Sequence, residues 1–239
     1  MYRPSLERQD DSTLVQGTLD GDARCFEVLV GRYQRRLFGL VRHYIRSAVE
    51  VEDIVQDTFI KLASALPSLD PDRIAVAGGS AGGYLALMVG LSDDKDGPGG
   101  DPAAQHSAKV SGVIDMYGVV NFSKHGKGVV PGVSAAEQAA YLPENQCDPQ
   151  DPPVLILHGT ADTTVDISQS EDMAKALRAA KVSHEYVVVE GAPHTFDLHP
   201  KGKRWKRTGV VGGVEVNGTS DQPDVTKVTL EFLARTIGK

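Results

Sequence analysis

A serine between glycines is the first residue in this sequence whose surroundings indicate chemistry. Ser80 lies in GGSAG, residues 78–82, which has the pattern G-x-S-x-G. The apolar run RIAVAG (73–78) precedes it and a helix-like stretch begins at Ala81, so the serine is predicted to occupy a tight strand-to-helix turn. Such a turn exposes the hydroxyl, and the N–H groups that open the helix, that of Ala81 first, can bind an oxyanion beside it. The pattern favours Ser80 as a nucleophile.

An aspartate and a histidine that could assist such a serine follow it in the chain. Asp162 lies in LILHGTADTTV, in a loop that leaves an apolar strand, and His194 lies in EYVVVEGAPHTF, just beyond the next strand. Both are at the carboxyl ends of predicted parallel strands, the edge at which active sites of open α/β sheets form. The order serine, aspartate, histidine is one that nucleophilic serine sites use. Asp166 is the competing acid, and we favour Asp162.

Other polar residues are predicted to be structural or to face solvent. His158 precedes a glycine at a strand end and is predicted to be packed or hydrogen-bonded rather than catalytic. His184 and His199 are predicted to lie at the surface. The basic run KGKRWKR (201–207) is predicted to be a solvated loop, because the chain carries a net charge of −7 and binding phosphates requires a surplus of Lys and Arg. We therefore expect no nucleic-acid binding.

The elements that must position these residues alternate along the chain from Asp70 onward. Predicted strands, each closed by glycine, are RIAVAG (73–78), VSGVIDMYG (110–118), VLILHG (154–159) and HEYVVVEG (184–191). Predicted helices are Ala81–Gly90, a short one near Ala135–Tyr141, Ser168–Ala180 and Val225–Ile237. Apolar strands spaced by helices predict a parallel sheet that is covered on both faces.

The N-terminal part has a different pattern, which is helical throughout. Apolar residues recur at three- and four-residue steps in one stripe: Phe26, Leu29, Val30, Tyr33, Leu37, Leu40, Val41 and Tyr44. A second helix is predicted from about Glu50 to Ala65, and Pro67 ends it. The change of pattern predicts a helical segment over 1–68 and an α/β domain over 69–239.

Composition excludes several classes of protein. No apolar run reaches the roughly 18 to 20 residues that cross a bilayer, and the start MYRPSLERQDDSTL has no apolar core like that of a signal peptide. We therefore expect a cytoplasmic protein with no membrane partner. Cys25 and Cys147 are far apart, so no disulfide framework is implied. Asp, His and Cys show no ligand spacing, so we expect neither a metal nor an organic cofactor.

Residues 68–198 resemble the C-terminal half of an α/β-hydrolase of the small esterase group, which includes feruloyl-esterase-like and acetyl-esterase-like enzymes. The stretches LDPDRIAVAGGSAGG, PPVLILHGTAD and VEGAPHTF carry the resemblance, in the order of that family. It implies that Ser80 is the nucleophile, His194 the general base and Asp162 the group that orients the imidazole. The implied fold is α/β, a truncated α/β-hydrolase with a short parallel sheet. The implied activity is hydrolysis of small or aryl carboxylic esters through an acyl-enzyme.

Residues 13–66 resemble the N-terminal helices of an extracytoplasmic-function sigma factor. The stretch VEDIVQDTFIKL is similar to the helix by which those factors dock on RNA polymerase, so the chain reads as a chimera. The promoter-reading helices that should follow are replaced by the hydrolase sequence, so we rank RNA polymerase binding low. Because of this resemblance, the alternative to an esterase is an interaction protein that binds RNA polymerase or an anti-sigma protein. A serine peptidase like prolyl oligopeptidase is a lesser alternative.

The resemblance also identifies what the chain lacks. Members of the family place an oxyanion loop, often of H-G-G type, upstream of the serine, and nothing before Ser80 resembles it; His125–Gly128 follows the serine and is predicted to be an ordinary loop. Losing one oxyanion donor typically costs about 10² to 10³ in rate, so we expect a slow and permissive enzyme. The strand Ile74–Ala77 loses a neighbour, which predicts that it pairs with a second copy, as a dimer, or is covered by the helices.

Overall fold

The computed structural model describes residues 6–44, 47–68, 70, 73–92, 109–122, 124, 134–197, 202–222 and 224–238. The chain divides into two compact units, Met1–Asp70 and Pro71–Lys239. The sequence placed the boundary after Ser68. Residues 125–128 and His199, on which predictions were made, lie outside the described residues. In the part of the chain that is described, no helix has the length and apolar character required to cross a membrane.

The first unit is helical, as its apolar periodicity predicted. It contains α1 (Asp11–Leu19), α2 (Ala23–Tyr44) and α3 (Ala48–Ala65). Asp10 caps α1 by accepting a hydrogen bond from the Thr13 N–H at 2.8 Å. Ser47 caps α3 in the same way by accepting from the Glu50 N–H. These side-chain oxygens satisfy N–H groups that have no partner within the helix. Leu14, Cys25 and Leu29 form its buried cluster.

The second unit is built on a single six-stranded sheet whose strands follow one another in chain order. The strands are β1 (Ala75–Gly79), β2 (Gly112–Met116), β3 (Val154–Gly159), β4 (His184–Val189), β5 (Trp205–Val211) and β6 (Val214–Ser220). β1 to β4 run parallel, as predicted. β5 and β6 are antiparallel to their neighbours, so the sheet is mixed rather than purely parallel.

The hairpin of β5 and β6 corrects the prediction of a solvated loop for residues 205–207, whereas Lys203 and Arg204 are exposed and outside the strand. Trp205 begins β5, which pairs with β4, and the Arg207 guanidinium lies 3.3 Å from the buried carboxylate of Glu185. Gly212 and Gly213 form the two-residue turn with φ of 55° and 81°, a left-handed conformation that favours glycine in tight hairpins. The basic run thus supplies a strand and an ion pair.

Helices cover the sheet on both faces, as the alternation of strands and helices predicted. One face packs on α4 (Ala81–Leu91) and α6 (Ser168–Ala179), and the other on α7 (Thr226–Thr236); α5 (Ala135–Ala139) is short. Alternate residues of β3 divide between the faces, since Ile156 joins the cluster with α4 and α6, whereas Leu155 joins the cluster with α7. This alternation is the period of two that a strand imposes.

The places of β1 and of His184 in the sheet can be compared with the sequence predictions. β1 lies at one edge of the sheet, which is where a strand without its usual neighbour was expected. His184 was expected at the surface, and that was wrong: its side chain is buried because β4 lies between β3 and β5, and its Nδ1 lies 2.9 Å from the carbonyl oxygen of Val182.

Candidate active site

Ser80 occupies the turn between β1 and α4, as the G-x-S-x-G pattern predicted. Its φ of 56° and ψ of −121° lie in a region that residues with a side chain seldom adopt. The backbone holds this conformation from both sides. The Ser80 N–H donates to the Met116 carbonyl at 2.9 Å, and the Ser80 carbonyl accepts from Gly83 N–H at 3.0 Å. The turn therefore fixes the serine at the carboxyl edge of the sheet.

The glycines around Ser80 have unequal roles. A side chain at Gly78 would overlap the backbone carbonyl of Gly82, and one at Gly79 would come within 2.8 Å of the Tyr117 hydroxyl. A side chain at Gly82 would meet nothing within 4 Å. The turn is therefore tight at Gly78 and Gly79 and open at Gly82.

Asp162 and His194 are brought together from two different loops, which follow β3 and β4. The Nδ1 atom of His194 lies 2.7 Å from Oδ2 of Asp162, whose side chain is fully buried. The other carboxylate oxygen, Oδ1, accepts hydrogen bonds from the backbone N–H groups of Thr164 at 2.8 Å and Val165 at 2.9 Å. Burial acts to raise the pKa of Asp162, but these bonds and that of His194 outweigh it and hold the pKa below its ordinary value. The aspartate is thus an ionised, fixed partner of the imidazole.

Tyr117 was not singled out by the sequence, yet it joins the serine turn to the histidine. Its ring lies 4.7 Å from the His194 ring at an angle of 60°, and its hydroxyl donates to Asp197. On the other side, the ring occupies the space into which a side chain at Gly79 would project. Because Gly79 precedes Ser80 directly, Tyr117 lies near both the serine turn and the His194 ring. Its position next to the glycine that closes the predicted strand 110–118 was the available signal.

The competing acid, Asp166, makes different contacts. Its Oδ1 accepts a hydrogen bond from the Ser168 N–H at 2.9 Å, at the start of α6, and bonds from Ser168 lower its pKa. The carboxylate in contact with His194 is that of Asp162.

His158 is packed and hydrogen-bonded, as predicted. Its side chain is fully buried at the end of β3. Nδ1 lies 2.7 Å from the Ser170 hydroxyl, and Nε2 lies 3.0 Å from the Val165 carbonyl oxygen. Nε2 also lies 3.3 Å from Oδ2 of Asp162, a contact that the sequence gave no reason to expect.

Ala81 is the first residue of α4. The N–H groups of a helix's first turn have no partner within the helix and carry the positive end of its dipole. The Ala81 N–H adjoins Ser80, where an oxyanion would form. Within the residues that the structure describes, no group of three or more His, Cys, Asp and Glu side chains is arranged to hold a metal ion.

Comparison with known proteins places the chain in a family. The family sequence profile described as BD-FAE matches residues 48–177, more than half of the chain. The chain belongs to the BD-FAE family. The matched range contains Ser80 and Asp162 of the BD-FAE domain and ends before His194.

Individual relatives support a composite chain. The probable carboxylic ester hydrolase LipM of Mycobacterium tuberculosis is 31% identical over 149 residues, which is 54% of this chain and 33% of LipM. The ECF RNA polymerase sigma-E factor of Escherichia coli is 41% identical over 66 residues, which is 28% of this chain and 34% of the factor. The chain thus spans about a third of the length of the curated relatives it matches. It joins a sigma-factor-like N-terminal segment to a BD-FAE esterase domain.

A solved structure is also similar to the BD-FAE domain. The acetyl ester-xyloside bifunctional hydrolase from Caldicellulosiruptor lactoaceticus aligns with a TM-score of 0.48 and 25% identity, over 58% of this chain and 53% of that chain.

Proposed function

We propose that the BD-FAE domain hydrolyses carboxylic esters of small molecules through an acyl-enzyme on Ser80. The observation that carries this proposal is the 2.7 Å hydrogen bond between His194 and Asp162, at the sheet edge where the strained turn presents Ser80. A serine alone is a weak nucleophile, and it becomes an effective one when an imidazole that is itself oriented by a carboxylate takes its proton.

The proposed steps are those of an acyl-enzyme mechanism. Nε2 of His194 accepts the proton of Ser80 Oγ as that oxygen attacks the ester carbonyl carbon. The Ala81 N–H stabilises the resulting oxyanion, and the ionised Asp162 stabilises the imidazolium. When the ester C–O bond breaks, His194 returns the proton to the departing alcohol. Water then attacks the acyl group with His194 as base, which releases the acid and restores the serine.

The substrate class is proposed to be small acyl esters, with aryl alcohols accepted. LipM is named a probable carboxylic ester hydrolase, which agrees with an ester rather than an amide as substrate. The Ala81 N–H is the one oxyanion donor that we assign. Because loss of a single donor costs about 10² to 10³ in rate, the proposed enzyme is slow, and activated aryl esters are its best substrates.

Hydrolysis of p-nitrophenyl acetate and p-nitrophenyl butyrate by the full chain tests the proposal. Turnover should disappear in Ser80→Ala. The matched control is Ser92→Ala, at the opposite end of α4, which should retain the activity of the unaltered chain. Turnover that persists in Ser80→Ala would overturn the proposed mechanism, and absence of turnover in the unaltered chain would overturn the proposed function.

The first unit supports a second candidate function. Residues of α2 and α3 line a groove of about 790 Å³ that is open to solvent. Phe26, Phe38 and Phe59 line it, and Ile60, also in the groove, is 56% exposed. Together with the sigma-E similarity, this groove supports an interaction protein that binds RNA polymerase or an anti-sigma protein. This function would be supported if the full chain co-elutes with RNA polymerase and the Ile60→Asp variant does not. It would be overturned if the full chain co-elutes with neither RNA polymerase nor an anti-sigma protein.

We also propose that the protein forms a homodimer through β1. This strand is at the sheet edge and its central residue, Ala77, is exposed. An edge strand presents unpaired backbone groups that favour pairing with another strand. Light scattering on the eluted full chain should give twice the mass of one chain, and a monomer at all concentrations would contradict the dimer.

A further inference from the structure

A second histidine contacts the carboxylate that holds His194. Nε2 of His158 lies 3.3 Å from Oδ2 of Asp162, and the same oxygen receives Nδ1 of His194 at 2.7 Å. Both His158 and Asp162 have fully buried side chains. Asp162 therefore lies between two imidazoles, although the proposed reaction uses only one.

The contacts of His158 determine which of its nitrogens carries the proton. Nε2 faces the Val165 carbonyl at 3.0 Å as well as the Asp162 carboxylate, and both groups can only accept a hydrogen bond. Nε2 must therefore be the N–H. Burial lowers the pKa of His158, so the ring is neutral and Nδ1 is an acceptor. The Ser170 hydroxyl, 2.7 Å away, donates to it.

We propose that His158 is a positioning residue of the esterase reaction, and that its Nε2–H fixes the Asp162 carboxylate toward His194 and shares its negative charge. Ser170, on α6, stabilises this tautomer by donating a hydrogen bond to Nδ1. The inference rests on the proposed function. It extends the site from three side chains to a chain of hydrogen bonds that runs Ser170, His158, Asp162, His194.

Loss of the His158 N–H should change the pH dependence of the reaction, which loss of packing alone would not do. Without the His158 N–H, the negative charge of Asp162 is concentrated on the bond to His194, which stabilises the imidazolium and raises the pH needed to form the active base. The other groups that face this pair are unchanged: the Thr164 and Val165 amides, the Tyr117 ring with Asp197, and Asp166. The acid limb of the pH profile should therefore move upward.

The experiment measures kcat and KM for p-nitrophenyl acetate between about pH 5 and about pH 9 in three variants. His158→Leu removes the donor, and we expect kcat to fall about tenfold with KM little changed and the acid limb to rise by about half a unit to one unit. Ser170→Ala removes the hydrogen bond that Nδ1 receives, and the limb should move in the same direction by less. His158→Gln offers an amide N–H near the place of Nε2 and should restore both the limb and most of kcat.

Nitrogen-15 NMR of the histidine rings supplies a readout that needs no activity. His158 should be a neutral Nε2–H tautomer across the same pH range in the unaltered chain. A His158 that titrates or carries its proton on Nδ1 would overturn the inference. So would an unmoved acid limb in both His158→Leu and Ser170→Ala while turnover still depends on Ser80. Absence of any Ser80-dependent turnover would instead overturn the proposed function.

Discussion

The phenol ring of Tyr117 lies 4.7 Å from the imidazole of His194 while its hydroxyl donates to Asp197. The tyrosine adopts a φ of 46°, which a bulky residue adopts at a cost in strain. Its N–H donates to the Leu157 carbonyl at 2.8 Å, so the backbone is held where the ring can support the histidine. One side of the His194 ring thus depends on a residue that takes no part in the proposed proton transfers.

Removal of the Tyr117 ring should therefore impair the reaction more than removal of its hydroxyl. We expect Tyr117→Ala to lower kcat by about 10- to 100-fold, because misplacing a reacting group by about 1 Å can cost about 10² in rate. Tyr117→Phe keeps the ring and should lie within about threefold of the unaltered chain. Steady-state hydrolysis of p-nitrophenyl acetate measures both. Equal losses in the two variants would show that the bond to Asp197, rather than the ring, is what matters.

The two glycines of the G-x-S-x-G motif should respond differently to alanine. Gly78→Ala would force a methyl group into the Gly82 carbonyl, and backbone overlap of this kind costs about 1 to 3 kcal/mol or more. Gly82→Ala meets open space and, within a helix, should stabilise by about 0.5 to 1 kcal/mol. Urea unfolding compares the pair. A Gly82→Ala variant that is as unstable as Gly78→Ala would contradict the geometry of the turn.

The choice between the two acids can be decided by substitution. Asp162→Asn leaves the shape of the site but removes the charge beside His194, and loss of that charge in a serine site has cost about 10⁴ in kcat. Asp166→Asn should change kcat by less than about threefold, because the contacts of Asp166 are with Ser168. Comparable losses from the two substitutions would show that Asp162 is not the orienting group.

A buried carboxyl beneath the active-site turn makes stability depend on pH. Burial raises the pKa of Asp115 to about 7 from an ordinary value of 3.8. Oδ1 accepts from the Gly118 N–H at 3.0 Å, and Oδ2 has no hydrogen-bond partner within the described residues. Between these two pKa values the folded chain binds more protons than the unfolded chain, so stability falls as pH rises through this range.

Asp115→Asn tests that dependence, because it removes the titrating group with little change of shape. Its free energy of unfolding, relative to the unaltered chain, should increase steadily from about pH 4 to about pH 7, by at most about 4 kcal/mol, and then stay level. Thermal melts across this range give the comparison. A difference that does not change with pH would mean that Asp115 is ionised in the folded protein.

The sequence was informative where a local pattern carries a physical requirement. Residues 73–82 predict a tight strand-to-helix turn at Ser80, because few residues other than glycine fit beside the serine. The structure has this turn between β1 and α4. Apolar runs followed by loops placed Asp162 and His194 at one edge because parallel strands share a direction. The structure adds the 2.7 Å contact between these two residues.

The sequence was less informative where long-range pairing decides the outcome. The basic run 201–207 looks solvated in isolation, and only the pairing of β5 with β4 and the buried Glu185 explain why Arg207 lies in a strand. His184 is buried for the same reason, since strands on both sides cover it. The contact of Tyr117 with His194 depends on the distance between the residues that follow β2 and those that follow β4, which no spacing along the chain records.

Covalent labelling of the full chain with a fluorophosphonate tests most directly whether the Asp162–His194 pair activates Ser80. Attack by the serine oxygen on phosphorus expels fluoride and leaves a stable adduct whose position peptide mass spectrometry identifies. We expect one adduct, on Ser80, absent from Ser80→Ala and formed about 10² to 10⁴ times more slowly in His194→Ala. A folded chain that gives no adduct on Ser80, or that labels at the same rate without His194, would contradict the account.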